Sequence, residues 1–426
     1  MSGLVVHEEV QNVRSVRFTI DPKSKWFVVL LAVIVMLPSL SIDSCLASLP
    51  SIGRSLHAQP AASALILSLF MAGFAVGQMT FGPWCDRFGR RPALLIGCGV
   101  FTVAAIGCAA ASSIQVLVAW RFLQGIGAAA GPVISLAIVR DVFAGSAARK
   151  RFAYVGVVAT LAPIVAPTLG SLISGSAGWR AVFWFLAVGG ILLSLVVAAS
   201  LRETIVLRDL QSLSAGRLAV NCWRVISNRT CRTNIIVGGL SFGALFAYVS
   251  GAALVFINIF GLSQQAFGGL FALNALGLAV GGVAASRLSS VQPSRMISRG
   301  LAIGLGAIGA LVLLTAGHAI SPLVAMPFLM MNTFSIGMVT PNIVHGVMQP
   351  VPEIAGVASS LFGSARMLAG AISAEIVAVW YDGTPTAMTG TMLMFAAGAF
   401  FYWLLAIPSV CMPEEAGAPE NLFADS

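Results

Sequence analysis

Charge is what this sequence has least of. Only 9% of its 426 residues are Asp, Glu, Lys or Arg, while 58% are hydrophobic and the mean hydropathy is +0.94. An ordinary soluble domain is about a quarter charged. A chain this poor in polar groups cannot cover a water-facing surface, so a soluble globular protein is excluded. Lysine is almost missing: Lys23, Lys25 and Lys150 are all there are. No Walker A pattern occurs, so no lysine is placed to hold ATP phosphates, and none lies in an apolar run to form a Schiff base. His7, His57, His318 and His345 are scattered without metal-ligand spacing. The seven cysteines, Cys45, Cys85, Cys98, Cys108, Cys222, Cys231 and Cys411, are odd in number and form no CxxC. A zinc site and a disulfide framework are therefore not expected. No cofactor is expected, and an enzyme is disfavoured.

What is present is apolar length. About twenty apolar residues cross the hydrocarbon layer, and backbone groups that must be satisfied internally there select helices over a barrel's short alternating strands. Twelve such runs fall near 26–49, 61–82, 92–111, 114–139, 151–174, 181–201, 233–258, 265–288, 296–317, 320–343, 354–380 and 386–411. The split between the third and fourth rests on "ASSIQ". The fold class predicted is an all-α integral membrane protein of twelve transmembrane helices. The first run follows a polar leader containing Glu8 and Glu9 and is long for a signal peptide, so it reads as an uncleaved helix.

The net charge of +9 reports topology. Basic residues collect in alternate connections: Arg87, Arg90 and Arg91; Arg140, Arg149, Lys150 and Arg151; six arginines from Arg202 to Arg232; and Arg287, Arg295 and Arg299. The connections between them hold only Arg54 and Arg180. By the positive-inside rule both termini lie in the cytoplasm. The basicity is not a sign of nucleic acid.

The chain also echoes itself 200 residues on. "GVVATL" at 156–161 matches "GVASSL" at 356–361, Gly170 falls opposite Gly370, and Gly82 and Arg87 fall opposite Gly282 and Arg287. "GFAVG", with Gly73 and Gly77, has a counterpart in "GLAVG", with Gly277 and Gly281. The domains expected are a cytoplasmic segment 1–25, a six-helix bundle 26–201, a cytoplasmic linker 202–232, a second pseudo-symmetric bundle 233–411 and a tail 412–426. Duplicated halves around a central cavity are the plan of secondary transporters.

Four charges crowd the turn "GPWCDRFGRRP" at 82–92. Gly82 and Gly89 permit tight backbone, Pro92 suits a helix start, and the arginines hold the turn inside. Topology alone does not account for an acid at Asp86 followed by Arg87, Gly89, Arg90 and Arg91. That spacing resembles the signature loop of the major facilitator superfamily. "RFLQGIGAAAGP" at 121–132 resembles its fourth-helix motif, "APIVAPTLGS" at 162–171 its exporter motif, and "LRET" at 201–204 a marker after the sixth helix. With "SIDSCLASLP" at 41–50 and "AGVASSLFG" at 355–363, the pattern looks like the bicyclomycin/chloramphenicol/florfenicol branch of proton–drug antiporters. Trp84, Cys85, Ala166 and Ser171 depart from the family's usual residues.

The resemblance implies roles. Asp86 becomes the acid of a gating latch, bonded to a neighbouring arginine and to a helix end in the other half. Pro163, Pro167 and Gly170 become the antiporter motif, and Asp43 and Arg121 the proton-coupling pair. Physics singles out the last two independently, because ionisable groups inside a membrane cost at least ~2.5–3.5 kcal/mol and so need a function or a partner. Arg121 cannot discharge and therefore needs acceptors. Gln124 could share its face, and Gly127 and Gly131 read as close helix packing. Arg366 and Glu375 lie nine residues, about 180°, apart on one helix, so they are not expected to pair. Arg366 could attract an anionic or zwitterionic substrate. Candidate cavity residues are Gln124, Tyr248, Asn274, Asn332, Phe362 and Arg366.

The function expected is export of a multidrug or antibiotic type, by proton antiport and alternating access, from a bacterial inner membrane. Partners are a small amphipathic substrate, protons and membrane lipid; a monomer is expected. An importer or facilitator on the same fold is the alternative. A receptor or scaffold is disfavoured, since the longest connection is too short for a ligand-binding domain.

Overall fold

A computed structural model describes residues 20, 24–58, 60–143, 151, 162–205, 212–288 and 290–411. The first half comprises α1 (Lys25–Leu46), the short α2 (Leu49–Ser55), α3 (Pro60–Phe88), α4 (Arg90–Ala109), α5 (Ile114–Val142), α6 (Ala162–Ala177) and α7 (Trp179–Ser200). A surface helix, α8 (Ala215–Ser227), leads to the second half: α9 (Arg229–Ala253), α10 (Gln264–Arg287), α11 (Pro293–Ala316), α12 (Pro322–Met348), α13 (Ala355–Val379) and α14 (Thr386–Cys411). Eleven of the described helices are long and apolar enough to cross a membrane. The remaining expected span, 151–174, is described from Ala162 as α6, and the "GVVATL" repeat at 156–161 lies outside the described residues.

Local chemistry sets the helix ends. Ser113, in the "ASSIQ" break, accepts from the Val116 N–H and starts α5; Asn228 accepts from the Cys231 N–H and starts α9. Beyond Ala253, α9 widens into a π turn at Leu254–Ile259, where the Phe260 N–H bonds to the Val255 carbonyl. The outside of the bundle is apolar: Leu405 is 82% exposed and Leu313 74%. Water would not tolerate that surface; lipid does.

The repeat read from the sequence is a repeat of packing. In the first half α3 and α4 both pack on α5, α1 packs on α6 and α4 on α7; in the second α10 and α11 pack on α12, α9 on α13 and α11 on α14. The glycine pairs explain the closest contacts. A Cβ on Gly73 would lie 2.0 Å from the Phe122 carbonyl oxygen, and one on Gly281 would lie 2.1 Å from that of Phe334. Only hydrogen at these positions lets α3 meet α5, and α10 meet α12, backbone to backbone. The halves join along α3–α13 and α6–α10, with α1 touching α9 and α2 touching the π turn.

Candidate functional site

Arg121 lies two turns into α5 and is fully buried. Its Nε donates to the Ile66 carbonyl at 3.1 Å, and its Nη1 donates to Ser41 Oγ at 2.8 Å and Gln124 Oε1 at 2.7 Å. The Phe70 ring lies 4.2 Å from the guanidinium carbon and the Phe183 ring 5.8 Å. Every acceptor is neutral, so the positive charge is held by dipoles and ring faces. Nη2 and Gln124 Nε2 are buried without hydrogen-bond partners among the described residues. The predicted face sharing of Arg121 and Gln124 is therefore a direct bond, and the Cys108 thiol lies 3.9 Å from the same Gln124 oxygen.

Asp43 sits two residues beyond Ser41 on α1 and is 7% exposed. Among the described residues its carboxylate makes no hydrogen bond or ion pair. α1 touches α9 of the second half. On α9, Tyr248 is buried and stacks on Phe271 of α10 with centroids 5.4 Å apart. Thr333 of α12 donates to the Asn274 carbonyl at 3.0 Å. Polar groups thus run from α1 across α9 and α10 to α12. Gly170 seats α6 on this region of α1, since a Cβ there would fall 2.0 Å from the Ser44 carbonyl oxygen. Pro167 is buried one turn earlier, Pro163 is half-buried, and Gly268 of α10 packs against the Pro167 carbonyl.

Arg366 and Glu375 face different neighbours, as their spacing requires. Arg366 packs over Phe242 and Phe362, while Glu375 accepts from Ser68 Oγ at 3.4 Å, across the halves. Phe362 and Arg366 line a narrow cavity with Ser241. Asn332 is buried near Gly304 of α11, with its Nδ2 unpaired. It does not line that cavity.

The charged turn forms a second cluster. Asp86 pairs with Arg90, whose Nε donates to Asp141 Oδ2 at 2.9 Å and whose Nη1 donates to Cys85 Sγ at 2.9 Å. Glu203 of "LRET" accepts from the Arg90 N–H at 2.8 Å and the Arg91 N–H at 3.3 Å, capping α4. Gly89 adopts φ +112°, and a Cβ there would lie 2.2 Å from Glu203 Oε2. The Arg91 Nη2 donates to the Ala198 carbonyl at 2.7 Å, and Arg87 is exposed beside Phe88. These ties stay within the first half and the residues that follow α7 at once. Toward the second half the turn offers Gly82, where a Cβ would lie 3.7 Å from Ser360 Oγ. Sequence reading assigned no role to Ser41, Ser68, Asp141, Ser241 or Glu203. Asp141 carried a signal, being an acid at the C-terminal end of an arginine-bearing span; the three serines carried none.

The Major Facilitator Superfamily profile matches residues 30–374. The chain belongs to the major facilitator superfamily. It is 34% identical over 353 residues to an uncharacterised transporter of that type, YdgK of Bacillus subtilis, covering 82% of this chain and 88% of the relative. It is 30% identical over 370 residues to a bicyclomycin resistance protein homologue of Haemophilus influenzae, covering 86% and 92%. Identity to the multidrug resistance protein MdtL of Escherichia coli is 26% over 371 residues, covering 87% and 92%. Among solved structures, an inward-facing, unoccupied bacterial homologue of the human lysosomal transporter Spinster superposes with a TM-score of 0.72 at 15% identity, covering 94% of this chain and all of that one. A D-xylose–proton symporter gives 0.68 at 15%, covering 90% and 97%. These two show the fold alone. The transporter is a multi-pass membrane protein and not an enzyme.

Proposed function

We propose that this transporter is a drug or antibiotic exporter of a bacterial inner membrane, with both termini cytoplasmic and acting as a monomer. It exchanges external protons for an amphipathic compound by alternating access. The observation that carries this reading is the Asp43 carboxylate, buried on α1, the helix that touches α9 of the other half, and free of hydrogen bonds and ion pairs among the described residues. Such a carboxyl takes or releases a proton without first breaking a bond. Arg121 is bound to the same helix through Ser41. Proton and substrate then each change the other's affinity by the same factor. The membrane potential contributes about 2.3 kcal/mol per charge per 100 mV. The drug-resistance names of two relatives support the direction of transport and the class of cargo.

The test is uptake of a compound panel into everted membrane vesicles, with and without an uncoupler. Uphill uptake that collapses with the uncoupler and disappears in Asp43→Asn is expected. Accumulation inside proteoliposomes driven by an inward proton gradient would instead make the protein an importer.

A further inference from the structure

The Asp43 and Arg121 sites leave Arg366, a half-buried cation within a membrane span, unused. Arg366 lies about halfway along α13, at the level of Ser241 and Phe242 of α9. Its guanidinium carbon is 4.4 Å from the Phe242 ring centroid and 5.5 Å from that of Phe362. Among the described residues it makes no hydrogen bond or ion pair. A guanidinium stays charged in proteins, and it carries five N–H donors around its edge. Ring faces interact with the cation but accept little from those donors.

A second group in the same place is also unsatisfied. Ser241 is 8% exposed, and its Oγ is buried with no hydrogen-bond partner among the described residues. Ser241, Arg366, Phe242 and Phe362 line one cavity, with Thr340 on its α12 side. The Thr340 hydroxyl donates to the Ile336 carbonyl at 2.7 Å, and among the described residues its oxygen accepts no bond from Arg366. The carboxylate on the same helix as Arg366 is Glu375, which points elsewhere and is bonded to Ser68. Among the described residues, neither the Arg366 guanidinium nor the Ser241 hydroxyl of this cavity has a hydrogen-bond partner.

We propose that Arg366 and Ser241 form an anion subsite that binds the carboxylate of an amphipathic substrate, whose apolar body lies on Phe242 and Phe362. The proposal rests on the export reading only in taking the cargo to be a drug-like amphiphile. A planar guanidinium matches a carboxylate through two parallel N–H bonds, and a serine hydroxyl adds a third. The flanking rings provide the apolar contact that a free inorganic anion would not use. The transporter then distinguishes a carboxylate from its neutral ester.

Pyrenebutyrate and its methyl ester are a matched pair for the test. Binding of each to the purified, full-length protein in neutral detergent is measured by thermal stabilisation over a concentration series. The expected result is a preference of tenfold or more for the carboxylate in the wild type. Arg366→Gln should remove the preference while leaving ester binding intact, which also shows that the variant is folded. Arg366→Lys should keep part of it, and Ser241→Ala should weaken it several-fold. Equal binding of acid and ester by the wild type, or a preference that survives Arg366→Gln, overturns the subsite. Everted vesicles separate this from the broader reading. If no compound is exported yet the carboxylate preference depends on Arg366, export is wrong and the subsite stands; if export is uncoupler-sensitive and the preference is missing, the reverse holds.

Discussion

Arg121 reaches α1 through the Ser41 hydroxyl, 2.8 Å from its Nη1, and not through Asp43 two residues further on. The buried cation and the buried carboxylate of this transporter are not an ion pair: Ser41 and Asp43, two residues apart, point about 200° away from each other around α1. An ion pair would hold both charges fixed. Neutral acceptors leave Asp43 free to change its protonation while Arg121 stays in place.

Asp43→Asn keeps the shape of the side chain and removes its proton exchange. Uphill export should be lost, while exchange of labelled for unlabelled substrate, which moves no net charge, should persist. Counterflow in proteoliposomes measures the second and vesicle uptake the first. Loss of both would assign Asp43 to binding or folding instead of coupling.

Arg121→Lys should fail almost as badly as Arg121→Ala. A lysine ammonium cannot reach Ile66, Ser41 and Gln124 with the geometry of the guanidinium fork. Each buried acceptor left unpaired costs about 1–3 kcal/mol, so the melting temperature of the purified variants should fall as well. Near-normal export by the lysine variant would sink this account of Arg121.

Glu203 and Gly89 form a testable pair. Glu203→Ala removes the cap from α4 and should cost about 1–2 kcal/mol. Gly89→Ala forces a side chain into φ +112° and against the Glu203 carboxylate. Part of its cost is that collision, so the double variant should be less destabilised than the sum of the singles. Thermal unfolding of the four proteins closes the cycle; strict additivity would mean that the two positions do not meet.

The contact between Ser68 and Glu375 ties α3 to α13 across the halves. In a background with the seven native cysteines replaced, Ser68→Cys with Glu375→Cys should be bridged by a short bis-methanethiosulfonate cross-linker. Transport should stop on cross-linking and return with reductant, because alternating access requires these helices to part. Full transport by the cross-linked protein would exclude opening at this seam.

Gly281→Val should be among the most damaging substitutions far from any charge. Its side chain would be driven into the Phe334 carbonyl, forcing α10 off α12 at a cost of about 1–3 kcal/mol for overpacking. The amount of protein recovered from membranes, compared with Gly282→Val where no atom lies within 4 Å, measures it. Equal yields would contradict the close approach.

Hydropathy was legible from the chain because it is a sum over neighbouring residues. Lipid as the solvent, the helical spans, the charged turn and the paired glycines of "GFAVG" and "GLAVG" all followed without coordinates. The partners of each charge did not follow. Arg90 meets Asp141 fifty-one residues away, Glu203 returns to cap α4, and Arg121 is caged by groups from three helices. Which face of one helix meets which face of another is decided by packing between elements distant in the chain. A serine such as Ser41 or Ser241 looks the same in sequence whether it faces lipid, backbone or a buried cation. Only the tertiary structure turns Ser41 toward Arg121 and Ser241 into the cavity it shares with Arg366.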